Sequence, residues 1–210
     1  QPSMITAYGR GLNHLGVHNN ESGKYKQAEA SYLKVLALYE GSDHKDRIAS
    51  ITHNLAGNYI CMKETLKAIE YEEQALAMHI ELYGDDNSNL GKARIMRNLG
   101  TCYIDLEQYE KSKAYLTCSL SSYKDFYGQD ANHVDIAIAL KKLSVAHLYL
   151  SELEEAKETC SQAMNMYLSI DPQHPGISDL KTYHDALFAD DTPSAHTYVL
   201  KRVQNLCTLL

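Results

Sequence analysis

The residues best suited to chemistry in this sequence are cations and amides that recur at helical spacing. Arg10, Asn13, His14 and Val17 are followed by Ser50, His53, Asn54 and Gly57, then by Arg94, Arg97, Asn98 and Thr101, and then by Ile138, Lys141, Lys142 and Val145. Steps of three, four and seven put each set on one face of a helix. These sixteen positions hold five Lys/Arg, three Asn and two His but no acid, in a chain with 27 Asp and Glu. Arginine offers planar forked donors that match a carboxylate, and Asn meets a peptide backbone through both its amide and its carbonyl. The expected chemistry is recognition of an acidic or carboxylate-bearing peptide by Arg10, Asn13, His53, Asn54, Arg94, Arg97, Asn98, Lys141 and Lys142. The competing reading is a solvated face on helices whose acids lie elsewhere.

No catalytic constellation stands beside this stripe. The sequence has no Gly-rich phosphate loop, no Gly-x-Ser-x-Gly elbow and no His-Glu-x-x-His. His14 and His18 are four residues apart with Glu21 nearby, yet no second ligand pair completes a metal site. The expectation is a protein that is not an enzyme and has no cofactor.

The stripe is carried by a repeat. Leu15-Gly16, Leu55-Ala56, Leu99-Gly100 and Leu143-Ser144 align without internal gaps. Twelve residues after each small residue comes another, Ala28, Ala68, Ser112 and Ala156, and seven later Val35, Ala75, Ser119 and Ala163. Small side chains at such spacing let two helix backbones approach, with large residues filling the space between pairs. Second helices are predicted over Tyr25–Glu40, Thr65–Tyr83, Tyr109–Tyr127 and Leu153–Ile170, with Gly84 and Gly128 as left-handed caps. A fixed period of this kind predicts stacked two-helix units.

This pattern resembles the tetratricopeptide repeat over roughly residues 9–189, with Leu12, Thr52, Met96 and Leu140 where a tryptophan is often found. The Leu anchors lie 40, 44 and 44 residues apart, against 34 in the standard repeat. Long second helices ending in Tyr-Gly, with His-Pro in a connection, are similar to the kinesin-light-chain type. The resemblance implies an all-α, right-handed solenoid with repeats at about 9–48, 49–92, 93–136 and 137–174 and a partial fifth at 175–189. The first helices would line its concave side. Residues 190–210 read as a capping helix, or as the start of a further domain. The resemblance also implies that His44, His133 and His174 cap loops and that Tyr25, Tyr32, Tyr59, Tyr103 and Tyr109 are core. Repeats that grip chaperone tails use five polar residues, of which Arg10, Asn54 and Arg94 match. In kinesin-light-chain-like grooves, which take an aromatic residue flanked by acids, Gly57 would leave room for that side chain.

Composition narrows the partners. Net charge is −7, which argues against general nucleic-acid binding. Base concentrates on first helices (+2 over 88–106, +1 over 132–150) and acid on second helices (−4 over 64–83, −3 over 152–169). No run approaches the ~20 apolar residues of a membrane span. Five cysteines without a Cys-x-x-Cys pair, four of them inside predicted helices, read as small buried hydrophobes in a reducing, cytoplasmic compartment. The chain opens on Gln rather than Met, as a piece of a longer protein would. The function expected is a non-enzymatic scaffold that holds an acidic peptide in a concave groove. The alternative is a regulatory or sensing module of a larger receptor or bacterial effector, making mainly intramolecular contacts.

Overall fold

The computed structural model describes residues 4–84 and 88–188. Among them the chain forms nine α-helices and no strand: α1 (Met4–Glu21), α2 (Tyr25–Tyr39), α3 (Lys45–Cys61), α4 (Thr65–Tyr83), α5 (Leu90–Asp105), α6 (Tyr109–Tyr127), α7 (Val134–Tyr149), α8 (Leu153–Ile170) and α9 (Gly176–Phe188). Each helix packs on the next, and α1, α3, α5 and α7 also touch in succession, so the first helices of the pairs form one continuous face. The predicted second helices match α2, α4, α6 and α8 to within one residue. The expected capping helix beyond residue 190 lies outside the described residues.

The small residues do what their spacing predicts. Ala28, Ala68, Ser112 and Ala156 are fully buried, as are Val35, Ala75, Ser119 and Ala163. A Cβ on Gly16 would fall 2.5 Å from the Tyr32 ring, and one on Gly100 would fall 2.6 Å from Leu116. Where serine takes a tight position its hydroxyl is satisfied locally: Ser112 donates to the Gly100 carbonyl (2.8 Å) and Ser119 to that of Ala93 (2.7 Å). A buried hydroxyl thus avoids the penalty of an unmade hydrogen bond.

Every turn inside a pair uses the same device. Gly23, Lys63, Glu107 and Ser151, which occupy one repeat position, all have φ between 57° and 72°. The amide of the following residue reaches back to close the helix: Lys24 to Asn19, Glu64 to Tyr59, Gln108 to Tyr103 and Glu152 to His147, at 2.7–3.0 Å. This is the Schellman arrangement, with glycine in only the first unit. Gly84 and Gly128 take positive φ after α4 and α6, which favours glycine, but with ψ of −169° and 149° they are extended and do not form the left-handed cap expected from the sequence.

Four other readings are corrected. Cys102 and Cys160 are buried, but Cys61 and Cys118 are exposed. Burial pushes the Cys102 and Cys160 thiols up to about 12, Cys102 with help from Glu72. Tyr32, Tyr59 and Tyr103 are buried, whereas Tyr25 and Tyr109 are only half-buried, Tyr109 stacking on Tyr149 at 4.4 Å. Leu15 is 48% exposed although Leu55 and Leu99 are fully buried, because no described helix packs in front of α1. His133 caps α7 by accepting from the Asp135 amide, and His174 accepts from that of Gly176. His44 makes no such bond and instead sits edge-on to Tyr39.

Candidate functional site

The sixteen-residue stripe lies along α1, α3, α5 and α7, but it is not a row of free cations. Two carboxylates enter it from positions the stripe omits. Glu72, fully buried on α4, meets His53 Nδ1 at 2.9 Å and accepts from Asn98 Nδ2 at 2.6 Å. Its position in the repeat belongs to Tyr32, Leu116 and Cys160 in the other units, so one acid replaces a core residue. Asp135, one turn before Ile138 on α7, accepts from Arg97 Nη1 (2.8 Å), Arg94 Nη2 (3.4 Å) and the Tyr127 hydroxyl (3.0 Å). Burial disfavours its charge, but Arg97, Tyr127 and Arg94 outweigh that and hold the carboxyl below the usual aspartate range.

The amides pair as well. Asn54 Nδ2 donates to Asn13 Oδ1 at 3.1 Å, tying α3 to α1. Asn13, His53, Asn54, Arg94, Arg97 and Asn98 are therefore all engaged inside the array, and their contacts fix how successive first helices sit against one another. The signals for this were present in the sequence. Glu72 is an acid in an otherwise apolar repeat position, and Asp135 continues the stripe by one turn.

Two cavities open along the same face. One, of about 270 Å3, lies between α1 and α3 and is lined by Gly9, Arg10, Asn13, Tyr39, Arg47 and Ser50, with Asp46 and Ile51. The other, of about 230 Å3, lies at the C-terminal halves of α3, α5 and α7. Ile60, Ile104 and Val145 give it an apolar lining with Tyr25, Cys61 and Thr101. Lys63, Lys141 and Lys142 bring three positive charges against the single carboxylate of Asp105. Gly57 holds in α3 the repeat position that Thr101 and Val145 hold in the next two units, and a Cβ there would meet nothing within 4 Å. The structure thus brings Lys141 and Lys142 to an apolar cavity, and Arg10 to a polar one.

Among the described residues no helix is long and apolar enough to cross a membrane. No group of three His, Cys, Asp or Glu among them could hold a metal ion.

No curated protein matches the chain. Among solved structures, BtubC (BKLC) from P. vanneervenii superposes with a TM-score of 0.73 at 19% identity, over 98% of this chain and 82% of its own. The nearly identical TPR-like repeats of a Podosopora anserina kinesin light chain give 0.70 at 15% identity, over 94% and 93%. A Rap protein complexed with Competence and Sporulation Factor gives 0.72 at 13%, over 94% of this chain but 53% of its own. At these identities the likeness is one of fold. The sequence profile of the tetratricopeptide repeat matches residues 6–81, 47–125 and 91–169, each window spanning two helix pairs. With three overlapping matches from α1 to α8, this chain belongs to the tetratricopeptide-repeat family.

Proposed function

We propose that this protein is a non-enzymatic scaffold that binds an extended peptide along the face formed by α1, α3, α5 and α7. The peptide would carry an apolar or aromatic side chain beside acidic residues. The observation that carries this reading is the cavity of about 230 Å3 that joins an Ile60/Ile104/Val145 lining to Lys63, Lys141 and Lys142. Apolar burial would supply the affinity there, and the lysines would select an acidic flank over a basic one. Gly57, with open space in front of it, extends the room on one side. Arg94, Arg97 and Asn98 act differently in this reading: they hold the first helices in register and leave the ligand's charge to the lysines.

A second reading, a regulatory or sensing module within a longer protein, is favoured by one observation. The Rap structure, which contains Competence and Sporulation Factor, shares this fold, and this chain spans only 53% of it.

The peptide reading is tested by fluorescence anisotropy with a labelled peptide that carries one Trp between Asp and Glu residues. Binding should weaken as salt rises, because the lysines lie at the surface. Lys141→Glu with Lys142→Glu should weaken it at least tenfold, while Glu154→Lys with Glu158→Lys on α8 should leave it unchanged. Equal binding by the lysine variant, or binding indifferent to replacing Trp with Gly, would sink the proposal.

A further inference from the structure

Exposed apolar side chains gather at one edge of the array. Seven of the twelve large apolar residues exposed among the described residues lie where second helices end and first helices begin. They are Ile80, Tyr83, Phe126, Leu168 and Ile170 in the last turns of α4, α6 and α8, with Met4 and Ile5 in the first turn of α1. The short turns within pairs put these ends together and lie at the opposite edge themselves. Apolar residues scattered singly over a surface need no explanation, whereas a row that recurs from unit to unit marks a surface suited to a partner.

Between the third and fourth units this edge is also hollow. A cavity of about 560 Å3 lies between the end of α6, the loop that follows it, the first half of α7 and the outer side of α8. Ile136, Leu140 and Met166 give it an apolar lining, and Phe126, Leu168 and Ile170 stand exposed in the helix turns that border it. Amides complete the wall. Asn132 and Asn165 line the cavity and form no hydrogen bond among the described residues. Gln129 and Gln162 use their amino groups on Asp125 and Glu158, both at 3.1 Å, which leaves their carbonyl oxygens to face a ligand. Asp130 lines the cavity too, and Asp125 and Asp171 flank it, against the single ammonium of Lys124. None of these three aspartates forms an ion pair among the described residues.

We propose that this edge binds a segment of another protein that places a long apolar side chain in the cavity and carries Lys or Arg beside it. Four amides suit a peptide main chain, since each offers a donor or an acceptor to its alternating C=O and N–H groups. The flexible Met166 adapts to the inserted side chain. The aspartates select a basic flank and disfavour the acidic peptide proposed for the first-helix face. The array then holds two partners of opposite charge on different sides. This cavity shares no lining residue with that of Lys141 and Lys142, so either reading can fail alone.

The test uses two acetylated and amidated pentapeptides, Lys-Leu-Lys-Leu-Lys and Glu-Leu-Glu-Leu-Glu, titrated into the protein and followed by NMR. The basic peptide should shift the side-chain amides of Asn132 and Asn165 and the Met166 methyl saturably, with Asn54 and Asn98 unmoved. The acidic peptide should bind there at least tenfold more weakly. Asp130→Lys with Asp171→Lys should weaken the basic peptide at least tenfold, and Leu168→Ser with Ile170→Ser at least threefold, at unchanged melting temperatures. Glu107→Lys with Glu110→Lys, at the opposite edge, should leave its binding as it is. No shift at the three named groups, equal affinity for both peptides, or unchanged binding by the Asp130/Asp171 variant overturns the proposal. So does a dimer in sedimentation velocity that Leu168→Ser with Ile170→Ser disperses, since a second copy of the chain would then cover this edge.

Discussion

At the scale of single residues, buried carboxylates organise the face that the cations were expected to own. Glu72 has one oxygen on Asn98 and the other facing His53, so removing a partner strands a buried charge, whereas removing the charge itself does not. Asn98→Ala should therefore lower stability by about 1.5–3 kcal/mol. Glu72→Leu, which copies Leu116 of the next unit, should cost less, and urea unfolding gives the ranking. The reverse order would mean that Glu72 is not held as described. Asp135 makes a prediction in pH. Its folded-state carboxyl titrates below the ordinary aspartate value because Arg97, Tyr127 and Arg94 outweigh burial. Its stabilisation is thus present above about pH 4 and lost as pH falls through the aspartate range. Melting temperatures from pH 6 to pH 3 should fall less steeply in Asp135→Asn than in the unchanged protein; identical slopes would contradict the assignment. The stripe itself was legible from spacing. Its internal acids were marked by residue type and position, but which side chains Glu72 meets was not legible, because it arrives from a neighbouring helix and only the packed array brings it to His53 and Asn98.

At the scale of elements, the sequence was read most accurately where glycine or a small side chain enforces one geometry. Gly84 and Gly128 end α4 and α6 at positive φ, and the Gly and Ala anchors fix which faces meet. The turns within pairs were harder to read. Lys63, Glu107 and Ser151 adopt the same left-handed conformation as Gly23 without the residue type that signals it. The closing hydrogen bonds and packed helices on both sides over-determine them. A Cβ in that conformation is strained by about 1–2 kcal/mol, partly offset by the extra freedom glycine has when unfolded. Glu107→Gly and Ser151→Gly should each raise stability by roughly 0.5–1 kcal/mol in urea unfolding. A loss of stability in both would show that the side chains, and not the backbone, hold these turns.

At the scale of the whole molecule, the array divides its labour between faces. Second helices carry more acid than first helices, and first helices form a continuous surface with an apolar, lysine-rimmed cavity toward one edge and a polar, arginine-lined cavity between α1 and α3. Period and charge asymmetry made the solenoid and its basic face legible in the sequence. The position of the apolar cavity was not, since Ile60, Ile104 and Val145 converge only when three units stack. Two cysteines exposed among the described residues provide a native test of which face binds. Cys61 lines the lysine-rimmed cavity, while Cys118 is exposed on α6, a second helix. Alkylation of each thiol, followed by mass spectrometry with and without the Trp-containing acidic peptide, reads occupancy at both places in one sample. Saturating peptide should slow modification of Cys61 at least fivefold and leave Cys118 unchanged. Protection of Cys118 with Cys61 still reactive, in a sample where the peptide is bound, would place the ligand on the other face and contradict the account.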